Sequence, residues 1–215
     1  MFRSKLLWIV PAAVILCLMT CSPKKNTFKD SRNGKIYKTV IIGHQTWMAE
    51  NLNFKTSNSW CYADSQINCE KYGRLYTMEA AKTACPPGWH LPSEEEWQVL
   101  ERFLGMTEEQ IDIFLMRGEG MGTKLKNIRA WESNIKNESD YDTYGFNALP
   151  GGYRYFLDGS FVDKGNRGSW WSSTPEDDKY AWRRALFLNQ TGIDRDVATN
   201  TNAFCVRCIK DEIRK

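Results

Sequence analysis

Apolar and β-branched residues dominate Lys35 to Ile42. Gly43-His44 can then turn the chain back through Gln45 to Leu52, which predicts a β-hairpin. Asn33-Gly34 before it is a turn signal. Trp60 to Asn68 carries little apolar surface and reads as a polar loop framed by Cys61 and Cys69. Helical spacing follows. Thr77 can cap a helix over Met78 to Ala84, which Cys85-Pro86-Pro87-Gly88 stops. Ser93-Glu94-Glu95-Glu96 is a capping box, with Ser93 accepting from the third amide and Glu96 reaching back. Trp97, Leu100 and Leu104 then fall on one face, and Gly105 ends the helix. Thr107 to Gln110 is a second capping box, opening a short helix with Ile111, Phe114 and Leu115 inward. Beyond Gly118 the pattern breaks into loops, with Glu132 to Tyr144 polar throughout. Short apolar strands are expected at Tyr153–Phe156, Gly168–Ser173, Tyr180–Leu188 and Ala203–Lys210. A hairpin, two or three helices, then a loop-rich sheet imply one α+β domain.

The N-terminus changes this picture. Arg3 and Lys5 form a short positive region, and Leu6 to Leu18 is a mostly apolar run of signal-peptide length. The run closes on Leu18-Met19-Thr20-Cys21, which resembles the lipobox cut by the lipoprotein signal peptidase. The polar Ser22-Pro23-Lys24-Lys25-Asn26 suits a tether. The expected organisation is a signal peptide over 1–20, a tether over 21–33 starting at lipidated Cys21, and a domain over 34–211. An uncleaved anchor or a buried N-terminal helix is the alternative. On the lipoprotein reading the protein sits outside the cytoplasm, anchored in a bacterial membrane of the cell envelope, with the outer membrane expected.

Losing Arg3 and Lys5 lowers the net charge from +3 to +1. That balance gives no electrostatic case for nucleic acid. Of seven cysteines, Cys17 lies in the signal and Cys21 is the lipid site. Cys61, Cys69, Cys85, Cys205 and Cys208 remain in an oxidising compartment, so disulfides are expected, with one thiol left over. A Cys61–Cys69 bridge would close the polar loop. Cys205-x-x-Cys208 lacks a second CxxC or a histidine pair for zinc, since His44 and His90 are the only histidines. Its strand-like setting does not suit a redox pair either. No metal or cofactor is expected. Nine tryptophans suit either an aromatic core or a sugar-stacking surface.

Six ordered segments carry a family resemblance: Val40 to Leu52, Cys69 to Thr77, Cys85 to Ser93 with Glu96-Trp97, Gly145 to Arg154, Gly168 to Thr174, and Val206 to Asp211. Together they resemble the major paralogous domain first named for Fibrobacter succinogenes, across about residues 34–211. That family's members are often exported lipoproteins without an established activity. Their element order and the Trp170-Trp171-Ser172-Ser173 block are similar to the C-type lectin fold, which also hosts the formylglycine-generating enzymes. The resemblance implies a long-range bridge from Cys85 to Cys208, the cysteine of the last block. Cys205, an odd interval away on a regular strand, would face the other side and stay free.

Fold analogy does not carry function. The calcium-binding triplets of sugar-binding lectins are missing from the sequence, so any glycan is expected to bind without calcium. Trp170 and Trp171 on a strand face opposite sides, one in the core and the other either surface or structural. Trp171, Tyr153 and Arg154 are the candidate ligand-binding residues. Arg183-Arg184 could bind an acid or pair with neighbouring carboxylates. Serine-hydrolase, zinc-protease and phosphate-loop signatures are missing. The expected role is non-catalytic binding of a glycan or an envelope protein. An enzyme related to the formylglycine-generating group and a purely structural envelope component are the alternatives.

Overall fold

The computed structural model describes residues 26–131 and 138–212. The signal peptide and Cys21 lie outside the described residues. In chain order the strands and helices are β1 (Asn26–Lys29), β2 (Ile36–Ile42), β3 (Gln45–Met48), β4 (Ser59–Trp60), α1 (Gln66–Tyr72), β5 (Leu75–Tyr76), α2 (Met78–Ala84), β6 (Trp89–His90), α3 (Glu94–Leu104) and α4 (Glu108–Ile111). These are followed by β7 (Leu115–Arg117), β8 (Gly151–Arg154), β9 (Phe161–Lys164), β10 (Arg167–Pro175), β11 (Tyr180–Phe187), β12 (Ile193–Thr199), β13 (Phe204–Cys205) and β14 (Ile209–Lys210). The fold is α+β. One sheet runs β1-β2-β3-β14-β6. A nine-stranded sheet runs β4-β5-β13-β10-β11-β12-β7, with β8 on β10 and β9 on β8.

The expected hairpin is β2–β3, with Val40 opposite Trp47. Thr77 caps α2 by accepting from the Ala80 amide. Both halves of the Ser93–Glu96 capping box are formed on α3, and Trp97, Leu100 and Leu104 are buried. Glu101 shares that stripe.

Several expectations are corrected. The stretch 60–68 is not plain loop: a 3-10 turn at Tyr62–Asp64 leads into α1. The middle of the stretch read as a tether belongs to the fold, because Asn26–Lys29 pairs with β2. The second capping box forms, but α4 stops at Ile111. Phe114 and Leu115 are therefore half-exposed instead of inward. Leu115 has φ 67°, outside helical geometry. Ala203–Lys210 is two short strands in different sheets, because β13 pairs with β5 and β10 while β14 pairs with β3 and β6.

The nine-stranded sheet is covered on both sides. Trp170 enters the core with Trp47, Trp97 and Phe146, and Trp171 the core with Tyr76, Met78 and Phe204. Neighbouring side chains on a strand do face opposite ways, but both ways are inward here. Among the described residues two disulfides are formed, Cys61–Cys69 and Cys85–Cys208, and Cys205 is free and buried.

Candidate functional site

The candidate residues from the sequence do not converge. Trp171 is fully buried, and its indole N–H donates to the Tyr76 carbonyl at 2.7 Å. No face of it is open for stacking. Tyr153 is half-buried on β8, 5.6 Å from the Phe204 ring, with the Arg167 guanidinium 4.8 Å above it. Arg154 lies 4.3 Å over the Trp60 ring. Each is engaged by its neighbours.

Arg183 and Arg184 pair with acids. Arg183 donates to Asp194 at 2.8 Å and also to Asp196. Arg184 forks onto Glu94, with both contacts at 2.8 Å, and reaches Glu101 at 2.6 Å. Arg117 and Arg195 complete this buried network through Glu101 and Glu94. Burial pushes the Glu94 carboxyl up, but the two guanidinium groups outweigh it and hold the carboxyl below its ordinary range.

The residues that form an open polar site lie elsewhere. A cleft of about 390 Å³ lies between β2 and the loops around Asn127 and Asn147, lined by Lys38, Thr39, Ala49, Asn127, Arg129, Asp142 and Asn147 among others. Its wall is bonded from residue to residue. Asn127 donates its side-chain amide to Asn147 Oδ1 at 2.5 Å. Asn147 donates to the Ala49 carbonyl at 3.0 Å, and its backbone N–H to Asp142 Oδ1 at 2.6 Å. Asp142 and Asn147 have φ of 45° and 59°, a left-handed geometry that costs free energy unless the surroundings impose it. Lys38 and Arg129 are exposed and form no ion pair among the described residues.

Beneath the cleft lies Arg207, fully buried. It donates to Asn51 Oδ1 at 3.1 and 2.7 Å, to the Met48 carbonyl at 3.2 Å and the Phe146 carbonyl at 2.5 Å, and to the Asn147 carbonyl at 3.5 Å. Trp170 donates to the same Asn51 oxygen at 2.8 Å. Burial pulls the guanidinium pKa down to about 10, so it stays charged at neutral pH. The Phe146–Asn147 peptide connects it to Asp142, accepting from Arg207 at one end and donating to the carboxylate at the other. Sequence reasoning missed this site. Its faint signal was Asn and Asp in a polar loop, the residue types that tolerate left-handed backbone.

A second cluster clamps the C-terminal segment. His90 Nδ1 is 2.6 Å from Asp211 and Nε2 is 2.7 Å from Glu96. Two carboxylates on two ring nitrogens require both N–H groups and hence imidazolium. Partial burial pulls the His90 pKa down, but the bonds to Asp211 and Glu96 win and raise it above 6.5. A raised histidine stabilises the fold fully below its unfolded pKa, and that contribution fades as pH rises through the folded value. Thermal melts of wild type and His90→Gln should therefore differ at about pH 5.5 and converge at about pH 9. A gap that widens with pH would contradict the clamp.

Comparison with known proteins gives one match. A family model described as the Fibrobacter succinogenes major domain matches residues 40–210. No curated protein and no solved structure matches the chain. The matched span holds the Arg207 hub, the Cys85–Cys208 bridge and the cleft lining apart from Lys38 and Thr39. The chain belongs to the Fibrobacter succinogenes major domain family.

Proposed function

We infer that this is a non-catalytic binding domain of the cell envelope, anchored through lipid on Cys21 and holding a glycan or protein ligand in the Lys38–Asn127–Asn147 cleft. The observation that carries the reading is the cleft itself: a polar recess whose Asn127, Asn147 and Asp142 are held by hydrogen bonds above the Arg207 hub. Amide, hydroxyl and cationic groups there suit hydrogen bonding to a polar ligand. A C-type-lectin-like architecture belongs to the same proposal. It is supported by the bridge that ties the end of α2 to the terminal segment. The alternative relation to formylglycine-generating enzymes draws no support from the cysteines. Cys208 is bonded to Cys85, and burial pushes the Cys205 thiol up to about 12.

A glycan and envelope-protein array on the domain tests the reading. Binding should survive a calcium chelator and fall at least about tenfold in Asn127→Ala/Arg129→Ala, the loss of one or two charged hydrogen bonds. Tyr153→Phe should bind normally. Chelator-sensitive binding, or full binding by the double variant, would reject the cleft. Anchoring has its own test: Cys21→Ser should shift the protein from the membrane to the soluble fraction and abolish lipid mass. Unchanged membrane partition would refute the anchor.

A further inference from the structure

Arg74 is buried and has no carboxylate partner among the described residues. Its Nε donates to Ser59 Oγ at 3.1 Å and its Nη2 to the Ser59 carbonyl at 2.9 Å. The remaining nitrogen, Nη1, lies 3.4 Å from Cys61 Sγ and 3.4 Å from Cys69 Sγ. A disulfide sulfur is a weak, uncharged acceptor, so the oxidised state leaves this cation with a poor partner. A thiolate in the same place would give it a full counter-charge in a low-dielectric setting.

We propose that Cys61–Cys69 is a thiol-exchange site, opened by a dithiol reductant, with Arg74 holding the Cys69 thiolate that leaves. Cys61 keeps slight exposure at 7 %, whereas Cys69 has none, so attack falls on Cys61. The reductant's thiolate bonds to Cys61 Sγ, the Cys61–Cys69 bond breaks, and its electron pair goes to Cys69 Sγ opposite Arg74. The reductant's second thiol, deprotonated, then attacks its own sulfur in the mixed disulfide. Cys61 leaves as thiolate and takes up a proton, and the reductant ends as a disulfide. Exchange runs faster and further when the leaving thiolate is stabilised.

The molecule contains its own control. Among the described residues no arginine donates to the sulfurs of Cys85–Cys208. The nearby Arg32 donates to the Ala84 and Cys85 carbonyls and is paired with Asp30. That bridge spans 123 residues, against 8 for Cys61–Cys69.

The test is a redox titration of the full chain in reduced and oxidised dithiothreitol, with acid quench, alkylation and peptide mass mapping. Cys61–Cys69 should reach half-reduction at a reductant ratio at least about tenfold lower than Cys85–Cys208. Arg74→Gln should raise its midpoint by about tenfold or more, and Arg74→Lys should restore part of the difference. Equal midpoints for the two bridges, or an unmoved midpoint in Arg74→Gln, would overturn the proposal. If Arg74→Gln does not fold, the wild type decides. Because Cys69 is buried, its alkylation after reduction is read relative to its own high-pH plateau: that ratio should stay near one well below pH 8.5, whereas an ordinary thiol slows about tenfold per pH unit there. An ordinary profile would overturn it too.

Discussion

Glu101→Ala is expected to cost about 3–5 kcal/mol, a large fraction of the roughly 5–15 kcal/mol that holds an ordinary domain folded. Glu101 is fully buried on the inward stripe of α3. One oxygen accepts from Arg184 Nε at 2.6 Å, and the other from Arg117 Nη2 at 2.6 Å. Glu94 remains to hold Arg184 and Arg195. Among the described residues Arg117 is left with the Ile111 and Ile193 carbonyls. Breaking one side of a buried ion pair costs far more than the pair contributes net, because the surviving charge loses both water and counter-charge. Glu108→Ala is the contrast: it removes an exposed, solvent-screened pair with Arg102 and should leave stability nearly unchanged. Urea unfolding of the three proteins measures this. A Glu101→Ala midpoint close to that of Glu108→Ala would show that the network is dispensable.

Arg207→Met should be nearly as damaging, about 3–5 kcal/mol, for a different reason. Among the described residues no carboxylate touches Arg207; it holds together carbonyls and an amide oxygen from segments far apart in sequence. Methionine fills similar space against Phe146 but donates nothing, leaving buried carbonyls unpaired at about 1–3 kcal/mol each. Arg207→Lys keeps the charge but not the planar fork, and should recover only part of the loss. A folded Arg207→Met protein should also lose shape at the cleft, since Arg207 holds the carbonyls on either side of the strained Asn147 backbone. Thermal unfolding with amide-exchange rates at Asn147 and Ala148 reads both effects. Wild-type stability with unchanged exchange would contradict the assigned role.

What was legible in the sequence was local. The Ser93 capping box, the Trp97–Leu100–Leu104 stripe and the β2–β3 hairpin rest on neighbours within a few residues, and they form as expected. Glu101 was illegible on that same stripe, because an acid reads as solvent-facing until arginines from β7 and β11 arrive beside it. Strand β12 was missed because Ile193-Asp194-Arg195-Asp196 looks solvated. Asp196 lies across from Arg183 in the ladder, which makes its charge a cross-strand partner. The Trp170–Trp171 alternation was readable. That both faces of the sheet are covered was not, since the covering elements come from far away in the chain. The cleft was hidden for the same reason: Lys38, Asn127 and Asn147 meet only through tertiary structure.

The first strand sets where the cleft can work. Asn26 pairs with Thr39 and Thr27 with Lys38, and both partners line the recess. A polypeptide reaches at most about 3.6 Å per residue, so the link from Cys21 to Asn26 spans no more than about 18 Å. On a lipidated Cys21 that short leash keeps the recess at the bilayer surface. A ligand would then have to be resident there, or be long enough to lie down on the membrane, and a small solute free in the surrounding compartment would gain nothing from the arrangement.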